Sequence, residues 1–589
     1  MNNGRLLLVE ALLFLFAAAV VGRLFYWQVL KHEGFQVAAK NQVENTVLLG
    51  AQRGKILASD GSVLVSNQKA YLVYTLLPEI KKLQGKNETY EDLVKKITDQ
   101  LVPILLEEKI ALEEDLDQKK KDKLRNEIRE AITYELHLPN LIWVPVAKKV
   151  SEETKQKIEQ LNIKGVGFEK DTKRFYPEGS LAASMLGFVG KDEQSNDKGY
   201  FGLEGYYDDK LRGRPGRLVQ ETDALGRPIL AAPAEGFEAL NGLDLVTTID
   251  RTAQFVADRK IKEGVERYGA KGGAVIILDP KTGAVLANSS YPTFDLQDPT
   301  DSESENYKNL GTSQSYEPGS TFKSITFSSA LDSGSIKTDT ICPCQGPIQA
   351  SGYEVQTVDN KYHPNSTITE ILQHSDNVGA AFAAEKMGAD TFLKYLSNFG
   401  FGQVSGVDLQ GEETGIIKAR QDWNEIELVT AAFGQGLSVT PIQMVNAVAS
   451  IANGGKLMKP YVVKKIVGPK GETVFKPKEI HQVIKSETAE TMKQLLLAAV
   501  EGGEARKIIP QGYRVAGKTG TAQVPLGGHY STKTVASFVG FGPVENPKFI
   551  MVVGLFEPSA SIWASETAEP LFFEIAKELY PYWGISVQR

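Results

Sequence analysis

The sequence predicts an α+β fold carried behind an N-terminal transmembrane helix, and three observations support it. An almost unbroken apolar run, residues 6–27, opens the chain. Strand-like segments flank the C-terminal half at both ends, 273–278 and 284–287 on one side, 534–541 and 548–556 on the other. Between them lies a helical middle, 320–449, and helices at 252–268 and around Phe572, Ile575, Ala576 and Leu579 bracket the whole. Strands from both ends then share one antiparallel sheet flanked by helices, with the helical middle as a second lobe.

At 589 residues and 42% hydrophobic content the chain has room for more than one core. An anchor at 1–30, a β-rich pedestal at 40–230 and a second domain at 242–589 are expected. A net charge of -7 and a pI near 5.7 give no basic footprint for nucleic acid. Cys342 and Cys344 flank one proline. A disulfide between them closes a very small ring, so free structural thiols are expected rather than a disulfide or thiolate site. The six histidines are scattered without metal spacing, and no metal or cofactor is expected.

The apolar run is about 22 residues, roughly 33 Å as a helix, enough to cross a bilayer. Ala17 to Ala19 offer a small-x-small cleavage pattern, but the run continues past it, which favours an anchor over a removable signal. Arg5 precedes the span while Arg23, Lys31 and Lys40 follow its start, so charge leaves the orientation open. Short strands around the Asp60-Gly61 turn and a strand at 70–77 begin the pedestal. Residues 79–150 mix both signs of charge and read as a solvated helical insertion rather than a partner-binding arm. Aromatic and glycine-rich packing returns at 174–179 and 202–207, and the Pro/Ala stretch 227–235 reads as a linker.

Tyr316-Glu317-Pro318-Gly319-Ser320-Thr321-Phe322-Lys323 puts a hydroxyl and an amine one helical turn apart behind a helix-breaking Pro-Gly. That is a nucleophile beside a base. Ser66 to Lys69 and Ser195 to Lys198 have the same spacing, lack the Pro-Gly start and are expected in solvated pedestal loops. Acyl transfer also needs a proton path, an oxyanion hole and an anchor for the substrate's anionic end. Ser375-Asp376-Asn377, after a helix begun by the Thr367-x-x-Glu370 capping box, offers a hydroxyl to shuttle a proton and an amide to orient lysine and substrate. Lys518-Thr519-Gly520-Thr521, in a strand-like run whose glycines admit a close ligand backbone, can bind a carboxylate. Each later motif has a decoy to weigh against chance: Ser304-Glu305-Asn306 also fits Ser-x-Asn, and Lys281-Thr282-Gly283 also fits Lys-Thr-Gly but is explained as a hairpin turn after Asp279-Pro280.

Ser-x-x-Lys, Ser-x-Asn and Lys-Thr-Gly in this order resemble the penicillin-recognising serine acyltransferases. The anchor, Arg53-Gly54, 174–190, 202–216, 245–250 and Phe433-Gly434-Gln435-Gly436-Leu437-Ser438-Val439-Thr440-Pro441 extend the resemblance over nearly the whole chain, to the class B penicillin-binding proteins. Ala58-Ser59 replaces the family's usual Asp-Arg, and the charged insertion is no family hallmark. The resemblance implies a penicillin-binding transpeptidase domain outside the cytoplasmic membrane, acting on peptidoglycan stem peptides and on β-lactams. Ser320 is then the nucleophile and Lys323 its base, depressed by burial and by Lys518. Ser375 relays the proton and Asn377 holds Lys323 and the substrate. Ser320 and Thr521 N–H groups form the oxyanion hole, and Lys518 and Thr519, beside Gly520, bind the terminal carboxylate.

A β-lactamase-like hydrolase needs a base for water, in that family a Glu followed four residues later by Asn. Glu412 and Glu413 are followed at that distance by Ile416 and Ile417. An idle wall-synthesis scaffold would not require all three motifs. The Tyr-Glu-Pro-Gly approach and the 433–441 run resemble the septal, division type more than the elongation type. The resemblance also implies a SEDS-family glycan polymerase partner at the membrane.

Overall fold

The computed structural model describes residues 3–36, 44–85, 88–111, 117–139, 141–221, 235–299, 302–357, 360–503, 506 and 508–587. Lys40 and most of the predicted linker, 227–234, lie outside the described residues. The chain divides into two compact units, Met1–Gln52 with Gly213–Gly242, and Arg53–Arg212 with Leu243–Arg589.

The first unit contains the apolar helix Asn3–Phe25 and a π-helical turn, Tyr26–Leu30. Together Gly4–Leu30 form 27 exposed residues, about 40 Å of helix, long and apolar enough for a single-pass anchor. Arg23 stacks over Trp27 at 5.1 Å near the end of this span. Glu44–Leu49, Gly216–Glu221 and Glu235–Phe237 form a three-stranded antiparallel sheet.

In the second unit the pedestal sheet is built on the long strand Val63–Leu76, which pairs with Ile56–Leu57, Trp143–Val150 and Val166–Phe175. Ile56–Leu57 runs parallel to Asp244–Thr247. Gly61 makes the predicted turn at φ 88°. Ser66 and Lys69 sit in the long strand opposite Phe175 and Thr172, not in a loop, because buried Leu64, Val65, Ala70 and Val73 carry the strand through them. Ser195 lies in the turn between Phe188–Lys191 and Asp197–Tyr200, the strand that holds Lys198.

The insertion is helical at Leu77–Lys82, Tyr90–Ile110 and Gln118–His137, but its last eight residues, Trp143–Val150, form a strand. It is also less solvated than its charge suggests. Leu93, Val94, Ile97, Leu101, Ile132 and Leu136 bury an apolar stripe against Val73, Leu77 and Val144, giving the insertion its own core. Nearby, the fully buried Glu204 accepts from Arg53 Nε at 2.6 Å and Arg174 Nε at 2.7 Å. Arg53 Nη1 also donates to Asp208 Oδ1 at 2.7 Å.

The C-terminal sheet is antiparallel in the order Val285–Tyr291, Gly272–Leu278, Phe549–Phe556, His529–Gly542, Ala516–Leu526. Strand periodicity sends Val275 and Ile277 into one core with helices Arg251–Tyr268 and Ala568–Tyr582. Ile276 and Leu278 enter the other, against the helical lobe and helix Pro441–Ala452. Both faces are covered, which explains continuously apolar strands. Lys281-Thr282-Gly283 is a hairpin turn, with Thr282 Oγ1 donating to Asp279 Oδ2 at 2.7 Å. Ser304–Tyr307 is an exposed or half-buried 3-10 turn. Cys342 and Cys344 are joined in a disulfide, correcting the expectation of free thiols: the bridge spans one intervening residue with Cα atoms 5.3 Å apart, within ordinary reach.

Candidate active site

Pro318 and Gly319 lead into a 3-10 turn, Gly319–Phe322, and then the helix Lys323–Asp332. Gly319 adopts φ 56°, and its N–H donates to the Gly434 carbonyl at 3.1 Å. Gly434, at φ 77°, comes so close that a Cβ there would lie 2.3 Å from the Gly319 oxygen. Thr321 Oγ1 closes the turn on the Pro318 carbonyl at 2.7 Å. Ser320 is left half-buried at the surface of this turn, while Lys323 is completely buried one turn further on.

Lys323 Nζ lies 3.0 Å from Ser320 Oγ, 2.5 Å from the Ser375 carbonyl, 3.3 Å from Ser375 Oγ and 2.8 Å from Asn377 Oδ1. Burial, and after it the charge of Lys518, push the Lys323 amine well below its ordinary basicity, with Asp376 opposing them. A neutral amine has two N–H bonds and one lone pair. With the N–H bonds given to the Ser375 carbonyl and Asn377 Oδ1, the lone pair is free to accept the Ser320 proton.

Ser375 reaches Lys323 because it occupies the left-handed region, φ 54°, in the tight link between helices Ile368–Gln373 and Asn377–Met387. The Thr367/Glu370 capping box starts the first helix, and Asp376 caps the second through Val378 N at 2.8 Å and Gly379 N at 3.3 Å. Asn377 Nδ2 donates to the Gln356 carbonyl at 3.3 Å, fixing the amide's orientation.

Lys518, Thr519, Gly520 and Thr521 lie on the sheet's last strand, Ala516–Leu526. Lys518 is buried, with Nζ 3.1 Å from Thr519 Oγ1. A Cβ on Gly520 would come 2.6 Å from the Pro318 carbonyl, so only glycine lets the strand lie against the Ser320 turn. Thr521 Oγ1 accepts from Ala564 N at 3.1 Å.

The structure thus brings Ser320, Lys323, Ser375 and Asn377 around one nitrogen and sets the Lys518 strand beside them. Three contributors escaped the sequence reading. Asp376 opposes the basicity loss at Lys323 although it lies inside Ser-Asp-Asn; its N-cap position was the available signal. Glu317, in the quoted approach, accepts from Gly436 N at 3.1 Å and from Tyr530 Oη at 3.2 Å, joining three segments distant in sequence. Gln356 had no local signal. Glu412 is committed to Ser405 N at 2.6 Å and Gly406 N at 3.1 Å, a loop-closing arrangement.

The profile of the penicillin binding protein transpeptidase domain matches residues 273–577, and that of the penicillin-binding protein dimerisation domain matches 48–247. The chain belongs to the class B penicillin-binding proteins. This class B protein is 33% identical to Stage V sporulation protein D of Bacillus subtilis (strain 168), over 96% of the chain and 84% of that relative. It is 30% identical to peptidoglycan D,D-transpeptidase FtsI of Escherichia coli (strain K12), over 73% of the chain and 71% of the relative. Its fold matches a peptidoglycan synthetase from Bifidobacterium adolescentis with a TM-score of 0.70 and 26% identity, over 93% of this chain and 98% of the other. The expected fold and enzyme class stand: it is a serine-type acyltransferase of two penicillin-binding-protein domains behind one apolar helix.

Proposed function

We propose that the chain is a peptidoglycan D,D-transpeptidase acting through an acyl-enzyme at Ser320. The observation that carries this reading is the buried Lys323 amine 3.0 Å from Ser320 Oγ. Lys323 takes the Ser320 proton as Oγ attacks the carbonyl of the penultimate D-Ala of a stem peptide. The C–N bond breaks, Ser375 passes a proton to the leaving nitrogen, and terminal D-Ala departs. An acceptor amine then attacks the ester, the C–O bond breaks and Ser320 regains its proton. Asn377 orients Lys323 and the substrate amide, N–H groups of Ser320 and Thr521 receive the oxyanion, and Lys518 and Thr519 hold the terminal carboxylate beside Gly520. A β-lactam enters the same path and stops at the acyl-enzyme. Fluorescent penicillin should label the full-length chain and leave Ser320→Ala unlabelled; full labelling of that variant overturns the reading.

Residues 1–30 serve as the anchor, 40–230 as the pedestal and 242–589 as the catalytic domain, which lies outside the cytoplasmic membrane with a SEDS-family polymerase as partner. Septal synthesis is the cellular role favoured by the Tyr316-Glu317-Pro318-Gly319 approach and by similarity to the FtsI relative. A sporulation-specific role is the second reading, favoured by 33% identity to Stage V sporulation protein D over 96% of the chain. Depletion during growth separates these roles: blocked septation supports the first, rounded cells indicate elongation, and a defect confined to spores supports the second.

A further inference from the structure

Asp376 divides its carboxylate between two tasks. Oδ1 caps the helix Asn377–Met387, while Oδ2 is buried without a hydrogen-bond partner. Facing it at 3.8 Å is Nδ1 of His363, also buried and unpartnered. The His363 ring stacks on His374, with centroids 4.0 Å apart and planes within 5°. His374 ends the helix Ile368–Gln373 that delivers Ser375, so the stacked pair is tied to the Ser375–Asn377 segment through His374 in sequence and through Asp376 in space.

Two orphaned, complementary atoms in one buried gap fit a hydrogen bond that forms when Nδ1 carries a proton and the atoms close by about 1 Å. If Nδ1 lacks the proton, two lone pairs face each other. We propose that His363 is a positioning residue for the acyl-transfer centre: its protonated ring pairs with Asp376 Oδ2, locks the Ser375–Asn377 segment and cancels the Asp376 charge felt by Lys323. This rests on the base role given to Lys323 above. The charged and titratable groups around His363 are Asp376, His374 beneath its ring, Glu370 on the helix before His374, and Lys361 on its own segment. Glu370 is occupied by the Thr367 cap, and stacking two imidazolium rings is electrostatically unfavourable, which leaves His363 as the ring that faces Asp376.

The sign of the effect follows from Asp376. Its negative charge favours the ammonium form of Lys323, which cannot accept the Ser320 proton. A cationic His363 removes that influence and so preserves the free amine.

The test is the pH dependence of acylation of the full-length chain in detergent by fluorescent penicillin, for wild type, His363→Gln, Asp376→Asn and the double variant. Asn remains a good N-cap, so Asp376→Asn keeps the helix start. His363→Gln is expected to move the acid limb to higher pH, with acylation about three- to tenfold slower than wild type at the acid end and the deficit shrinking toward alkaline pH. In the Asp376→Asn background the same substitution is expected to have no pH-dependent effect. A His363→Gln profile parallel to wild type, or a shift that persists without the Asp376 charge, overturns the inference. Labelling that survives Ser320→Ala instead overturns the underlying reading, so the two failures are distinct.

Discussion

Lys518 lies near enough to Lys323 for its charge to depress the proton affinity of the buried amine. Under the proposed function this one cation has two tasks, holding the substrate carboxylate and lowering the proton affinity of the base. Lys518→Gln removes both. The carboxylate contact is lost at every pH, whereas the electrostatic contribution is lost only where Lys323 can take up a proton. Acylation by penicillin should fall by about 10²-fold or more near neutral pH, with partial recovery as the pH rises. A rate profile for Lys518→Gln parallel to wild type would show that the two lysines do not communicate.

Lowering the proton affinity of Lys323 by burial carries a stability cost. The amine's folded proton affinity is depressed, so its contribution to stability is lost as pH falls through the unfolded-lysine range toward neutrality. Lys323→Met fills a similar volume without a charge to desolvate. It should abolish acylation while raising the unfolding free energy at neutral pH by about 0.5–2 kcal/mol, measured by denaturant melts. The gain should vanish in strongly alkaline buffer. A destabilised Lys323→Met would mean that the Ser375 and Asn377 hydrogen bonds outweigh the burial cost.

The order of three short motifs was legible because each stands where helix and strand signals are strong: a Pro-Gly helix start, a capping box, a glycine-spaced strand. Strands 272–278 and 549–556 were legible for the same reason, since both faces are buried and the sequence is uniformly apolar. Trp143–Val150 was hidden because Lys148 and Lys149 continue the charge of the preceding helices. The insertion's core was hidden because charge counts do not reveal which stripe of a helix faces inward. His363 and Asp376 lie 13 residues apart in sequence, and only the fold reveals that their unpartnered atoms meet. Long-range complementarity of this sort has no local periodicity.

Glu204 provides a second long-range test. It is fully buried between Arg53 and Arg174, which are themselves 9% and 7% exposed. Asp208 remains to pair Arg53, but Arg174 has no other carboxylate among its described contacts. Glu204→Ala therefore strands a guanidinium in a dry site and is expected to cost about 3–5 kcal/mol. Denaturant unfolding of the purified chain measures it. A loss under about 1 kcal/mol would mean that water reaches the site and screens it.

Asp258 links the pedestal to the first helix of the C-terminal domain, accepting from Ala182 N at 2.9 Å and from Gln254 Nε2 at 2.8 Å. Burial pushes its carboxyl up to about 6, with those hydrogen bonds opposing the rise. An unfolded aspartate titrates at about 3.9, so between the two values the folded chain binds more protons than the unfolded one. Stability therefore declines as pH rises through that window, and the cost is fully present above it. The residue keeps some contact with solvent, which limits the cost to about 1–2 kcal/mol. Asp258→Asn removes the titration but also exchanges one acceptor for a donor beside Gln254, a penalty that does not vary with pH. The expected signature is thus a change of slope: from pH 4 to pH 7 the variant should gain about 1–2 kcal/mol relative to wild type in denaturant melts, whatever its absolute stability. A difference that stays constant across the range would mean that Asp258 is already ionised when the pedestal packs against it.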